Sequence, residues 1–136
     1  MAEKMDVTIV SPEEKLWEGE AELVIARSPE GEFGIMRGHI PFLAALVPGR
    51  LTVVSDNDRD EYFVPGGFLE ASGSGDDYHV IVLADDAERA ADIDVSEAKS
   101  RLEEARRESN EDMDQRVEAS LRVEMARVEI AESKGQ

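Results

Sequence analysis

The sequence predicts an N-terminal antiparallel β-sandwich followed by a C-terminal α-helical hairpin. Two observations carry that prediction. Up to about residue 84, short runs rich in Val, Ile, Phe and Tyr are split at regular spacing by Gly, Pro, Asp and Ser, the rhythm of a small sandwich or barrel. After Asp85 glycine is absent until Gly135, proline does not return, and Ala, Glu and Arg dominate. The boundary therefore falls near residue 86, giving a strand-built unit over 1–86 and a helical unit over 87–136.

The elements follow in order. "MDVTIV" alternates, with Met5, Val7 and Ile9 on one face. "AELVIARS" is a second apolar run, ended by Ser28-Pro29-Glu30-Gly31. A glycine-punctuated turn, "GEFGIMRGH", leads into the apolar run from Ile40 to Pro48. That run is too short to span a bilayer, which takes about 20 residues. "RLTVVS" and "EYFVPGG" flank the turn "DNDRD"; "FLEAS" and "YHVIVLA" flank "GSGDD". No helical crossover lies between the runs, which argues against a parallel sheet. Asp94 followed by Glu97 fits a capping box and opens the first helix. Ala98, Leu102 and Ala105 form its narrow apolar stripe. "ESNED" breaks it, with Asn110 or Asp112 placed to cap a second helix from about Met113 to about Ser133. On that helix Met113, Val117, Leu121, Met125 and Val128 share one face; Ala119, Val123, Ala126 and Ile130 share another. The first helix can cover only one of them. The other is expected to pack flat on the sandwich, to meet a second protein, or to alternate between the two.

Composition narrows the function. The chain has 136 residues, 41% hydrophobic and 35% charged, as in a globular domain. The net charge of -17 opposes binding to nucleic acid or to an anionic membrane surface and favours basic protein surfaces. Cysteine is absent, which excludes disulfides and thiolate metal sites and favours an intracellular setting. "MAEKMDVTIV" has no long apolar region, so no signal peptide is expected.

The usual catalytic sets are missing. There are two histidines, His39 and His79, and no Gly-Lys-Ser/Thr phosphate loop. His79 reads as an ordinary strand residue. "GSG" at Gly73 to Gly75 reads as a hairpin turn. "DNDRDE", from Asp56, begins like a calcium loop but has Glu61 where the sixth position needs glycine and Gly67 where the twelfth needs Glu. No catalytic residue and no metal site is expected. Such a chain transmits or gates rather than making or breaking bonds.

"SPEGEFGIMRGHIPFLAALVPG", then "VPGGFLEAS", then "VIVLADDAERAADID", then an Ala/Glu/Arg tail together resemble the epsilon subunit of bacterial F-type ATP synthases, over essentially the whole chain. The resemblance implies a two-layer sandwich and a helical hairpin. It implies a non-catalytic subunit of the rotating central stalk, peripheral at the cytoplasmic face of the inner membrane. There the sandwich sits against the gamma subunit and the c-subunit ring and helps couple proton flow to ATP synthesis. The hairpin lies on the sandwich or extends toward the beta and alpha subunits to suppress hydrolysis. By position, Glu32, Arg37, Gly38, His39 and Phe42 are the implied partner-binding residues. Gly34 and Gly38 permit tight turns, and Pro41 stiffens the exit. Alternate residues of Ile40 to Leu46 are expected to enter the sandwich, the others to face a partner.

Two departures stand out. Arg37 replaces the proline usual before Gly-His. At the start of the hairpin some members bind ATP through Ile/Leu-Asp-x-x-Arg-Ala; here Ile93, Asp94 and Ala98 match, but Glu97 replaces the arginine. A carboxylate repels a triphosphate that arginine would bind. No cofactor is therefore expected. Ile93, Asp94, Ala98 and Arg101 remain the candidates for weak ATP binding, with Arg106 or Arg122 as compensating cations, and a free nucleotide-sensing module is the alternative reading. From Asp94 on there are eight Lys/Arg against twelve Asp/Glu, so attraction to an acidic partner has to be local. Arg116, Arg122 and Arg127 are the candidate regulatory residues; Arg116 and Arg127 lie about three turns apart on nearly one face.

Overall fold

The computed structural model describes residues 3–111 and 114–133. Ten strands form two five-stranded sheets packed face to face, followed by two antiparallel helices. The strands are β1 (Met5–Val10), β2 (Lys15–Ala21), β3 (Leu23–Ser28), β4 (Gly31–Ile35), β5 (Phe42–Leu46), β6 (Gly49–Ser55), β7 (Asp58–Val64), β8 (Gly67–Ser72), β9 (His79–Ala84) and β10 (Glu88–Arg89). The first sheet runs β2-β1-β9-β8-β5 and the second β10-β7-β6-β3-β4.

Alternation fixes which side of each strand is buried. Met5, Val7 and Ile9 of β1 and Val80, Val82 and Ala84 of β9 point inward. They meet Val24 and Ala26 of β3, Leu51 and Val53 of β6, and Tyr62 and Val64 of β7 in one cluster. The side of the sandwich where β2 and β10 lie is stitched by polar groups. The Trp17 indole N–H donates to Asp60 (3.0 Å), and Arg89 donates to the same carboxylate (3.0 Å). Arg89 also sits over the Tyr62 ring, 5.5 Å from its centroid. Burial pushes the Tyr62 phenol above its ordinary value.

All strand pairs are antiparallel except β1 with β9, which run parallel from Asp6↔His79 to Val10↔Leu83. This pair forms without a crossover helix. The chain between its two strands builds most of the sandwich, and β1 slots in beside β9 as an internal strand. Three strands have no counterpart among the sequence runs: β2, β4 within what reads as a turn, and the short β10, which pairs with β7 just past residue 86. Gly67 is required where β8 starts. Its φ is +141°, and a Cβ there would run into the Leu83 carbonyl oxygen.

Helix α1 (Val95–Glu111) starts as its cap predicts: the Glu97 N–H donates to Asp94 Oδ1 at 3.0 Å. Helix α2 (Gln115–Ser133) starts later than the sequence suggests. Asn110 is inside α1, and Asp114 is the cap, accepting from the Val117 N–H at 2.9 Å. The alternative cap Asp112, and Met113, lie outside the described residues. The hairpin lies flat on the outer face of the second sheet. Phe63 of β7 enters a cluster with Ala90, Ile93, Ala98, Leu102, Val128, Ile130 and Ala131, flanked by Leu121, Val123 and Ala126. The second face of α2 thus meets the sheet along its C-terminal half. Ala119, nearer the start of α2, and Met125 are exposed.

Candidate functional site

Three places on the molecule bear on function. The first is the end of the sandwich holding the β4–β5 and β8–β9 turns. Gly38 takes φ +92°, the left-handed region that favours glycine, and its turn closes with the His39 N–H donating to the Met36 carbonyl at 3.1 Å. Arg37 is turned back onto its own chain. Its Nε donates to the Gly75 carbonyl (3.1 Å) and its Nη2 pairs with Asp76 (2.9 Å), tying the two turns together. The cation that replaces proline is thus neutralised internally. The His39 ring stands edge-on to Phe42 at 5.5 Å, and Phe42 packs on Phe33 at 5.2 Å. Around them Met36 and Ile40 project outward, 52% and 72% exposed. Arg37, Gly38, His39 and Phe42 are therefore brought together. Glu32 is not. It lies on the outer face of the second sheet, bordering a cleft of about 210 Å³ with Arg27, Arg50 and the C-terminal end of α2.

The second place is the outer face of the first sheet. The alternation that buries Ala44 and Leu46 turns Leu43 outward. Phe68 of β8 pairs across the ladder with Leu83 of β9, and both are exposed. Leu43, Phe68, Ile81 and Leu83 line a shallow apolar concavity of about 400 Å³, edged by Glu70. The sequence led only to the expectation that alternate residues of Ile40 to Leu46 face outward, without singling out Leu43, and gave no sign of Phe68, Ile81 or Leu83. An exposed apolar side chain and a buried one look alike until the sheet is assembled.

The third place is the hairpin junction. Arg127 of α2 is 4% exposed. Its Nε and Nη2 donate to the two oxygens of Glu88 on β10 (2.7 and 2.9 Å), and Nη2 also donates to Glu97 on α1 (2.9 Å). Its Nη1 is enclosed without a partner. The paired guanidinium holds the Glu88 carboxyl below its usual range, against the opposing pull of burial. In turn the Glu88 hydrogen bond holds the Arg127 guanidinium charged, above its ordinary value, with Glu97 adding to the effect. The two other candidate arginines differ: Arg116 and Arg122 are exposed on α2, and Arg122 is 3.9 Å from Glu118.

As a phosphate cradle, the residues at the start of the hairpin fit poorly. Ile93 and Ala98 are buried in the junction. Asp94 caps the helix, and Arg101 lies 3.6 Å from Glu97. The buried cation is already paired with two carboxylates. No group of residues suited to a metal ion occurs among the described residues.

Residues 4–90 match the family model described as the β-sandwich domain of the ATP synthase delta/epsilon chain. Over 135 residues the chain is 42% identical to the ATP synthase epsilon chain of Halorhodospira halophila, covering 95% of this chain and 93% of that one. The chain belongs to the ATP synthase epsilon-chain family. The epsilon chain of Myxococcus xanthus is 41% identical over 133 residues, 94% of this chain and 95% of its own. Among solved structures, a chain of the Euglena gracilis mitochondrial ATP synthase, in its OSCP/F1/c-ring assembly, superposes with a TM-score of 0.78 at 26% identity. That match covers 96% of this chain and 80% of the other. The matched domain is a β-sandwich, and in this chain the sandwich is followed by the helical hairpin. No helix among the described residues is long and apolar enough to cross a membrane.

Proposed function

We propose that the chain is a non-catalytic rotor subunit of an ATP synthase. Its sandwich grips the gamma subunit and rests on the c-subunit ring, peripheral to the membrane at the cytoplasmic face. Its hairpin regulates hydrolysis through the beta and alpha subunits. The observation that carries this reading is the uncovered apolar face of the first sheet. Leu43, Phe68 and Leu83 are each more than half exposed on one side of a well-packed sandwich. A contiguous apolar surface of this kind marks a protein interface. The turn end with Met36, His39 and Ile40 continues it toward a second partner, for which the c ring is the candidate. Glu32 is assigned to the hairpin side instead. Family membership supports the stalk as the setting.

Two measurements test the proposal. Mixed at micromolar concentration, the chain and a purified gamma subunit should form a stable complex, and Leu43→Asp should abolish it. Failure to bind would sink the rotor assignment. Removal of residues after 90 from the assembled synthase should leave ATP synthesis in membrane vesicles intact while raising ATP hydrolysis. Unchanged hydrolysis would remove the regulatory role and leave the coupling role standing.

A further inference from the structure

We propose that Glu88, Arg127 and Glu97 form an internal latch that holds the hairpin on the sandwich with no nucleotide bound. The three groups come from three elements: the edge strand β10, helix α2 and helix α1. One buried cation therefore ties each helix to the other and both to the sandwich. The apolar contact beneath combines Phe63, Ile93, Leu102, Val128 and Ile130 with the small side chains of Ala90, Ala98 and Ala131. Apolar burial is non-directional, whereas a bidentate guanidinium–carboxylate pair fixes angle and register. The latch thus selects one docked arrangement among several that the small side chains would tolerate.

Its chemistry also makes the docked state intolerant of losing a partner. Arg127 keeps one enclosed nitrogen without an acceptor even when both carboxylates are in place. Removal of either carboxylate leaves a buried charge further uncompensated. A triphosphate would have to displace Glu97 and Glu88 from this cation. Its own negative charge would then stand against both of them, and against Asp94. The departure from the family pattern at residue 97 acquires a role: the carboxylate there supplies from within the chain the negative charge that the buried arginine needs. This inference rests on the fold, not on the rotor assignment, and its test uses the chain by itself.

The absence of cysteine makes the test direct. Cysteines introduced at Asn57, in the exposed β6–β7 turn, and at Gln115, exposed at the start of α2, carry spin labels whose separation reports docking. The parent chain should give one docked separation, unchanged by millimolar MgATP. Arg127→Met should raise the ratio of released to docked hairpin by on the order of a hundredfold. Glu97→Gln, which keeps shape and one acceptor but removes the charge, should raise it about fivefold. Far-UV circular dichroism must show the sandwich intact. Should Arg127→Met unfold the chain, Glu97→Gln alone decides. A parent-like separation in Glu97→Gln overturns the latch. A shift of the parent chain with MgATP, or restoration of docking in either variant by MgATP, overturns its independence from nucleotide.

Discussion

The two sheets of the sandwich have outer faces of opposite fate. On the second sheet Phe63 points outward into the hairpin junction and is 3% exposed. On the first sheet Phe68 points outward into nothing and is 54% exposed. The residue type is the same and the strands come from one small domain. What differs is the cover: one face is closed by the chain's own helices, the other is open. Stability is thus expected to reside on one side and binding on the other.

Paired truncations give the largest test. Phe63→Ala removes a ring from a packed junction and should destabilise the chain by about 3–5 kcal/mol in denaturant unfolding followed through the helical signal. Phe68→Ala should stay within about 0.5 kcal/mol. Equal losses at the two sites would break the comparison, because the first sheet's outer face would then be structural. The reciprocal experiment is next in size. Phe68→Glu should weaken binding to the gamma subunit by about 2 kcal/mol or more, the scale of an interface hot spot, with no loss of folding stability. Unchanged affinity would move the partner off this face.

Much of the fold was legible in the sequence, and the exceptions have physical reasons. The sandwich could be read because β1 and β9 bury alternate residues. Strand β2 escaped because its inward side is Trp17, Gly19 and Ala21. There the Trp17 ring covers the glycine, 3.2 Å from where a Cβ would be, so no apolar alternation is left to see. Strand β4 escaped because Gly31 and Gly34 imitate a turn. At the candidate site, Arg37, Gly38, His39 and Phe42 come together as contiguity suggests. The pairing of Arg127 with Glu97 and Glu88 spans 30 and 39 residues and follows no period. It became visible only when the hairpin was laid on the sheet.

Acid should act on the covered face through Glu88. Glu88 has a carboxyl pKa lowered from 4.5 by the hydrogen bond from Arg127, with further attraction from Arg101. A carboxylate whose folded pKa is depressed contributes stability above its unfolded value, and that contribution is lost as pH falls through the folded value. Glu97 faces the same guanidinium from α1. Hairpin release, read by the label separation, should therefore rise below pH 4.5, and Glu88→Gln should flatten that dependence. Release that begins well above this range would assign the junction's pH response to another group.

The smallest effect is expected at Arg37, and its size is informative. Its ion pair with Asp76 is fully open on the acidic side, with the Asp76 side chain 100% exposed. Water and salt screen such a pair. Arg37→Ala should leave the unfolding midpoint unchanged. Its consequence should appear instead in the turn, where Arg37 bridges the β4–β5 and β8–β9 connections. Without the bridge the backbone around Gly38 loses an anchor, so amide hydrogen exchange of His39 should quicken while β5 stays protected. Arg37→Pro restores rigidity by another route, fixing φ without a charge, and should return exchange toward the parent rate. If both variants exchange alike, the arginine positions nothing, and its contact with Asp76 is only surface neutralisation.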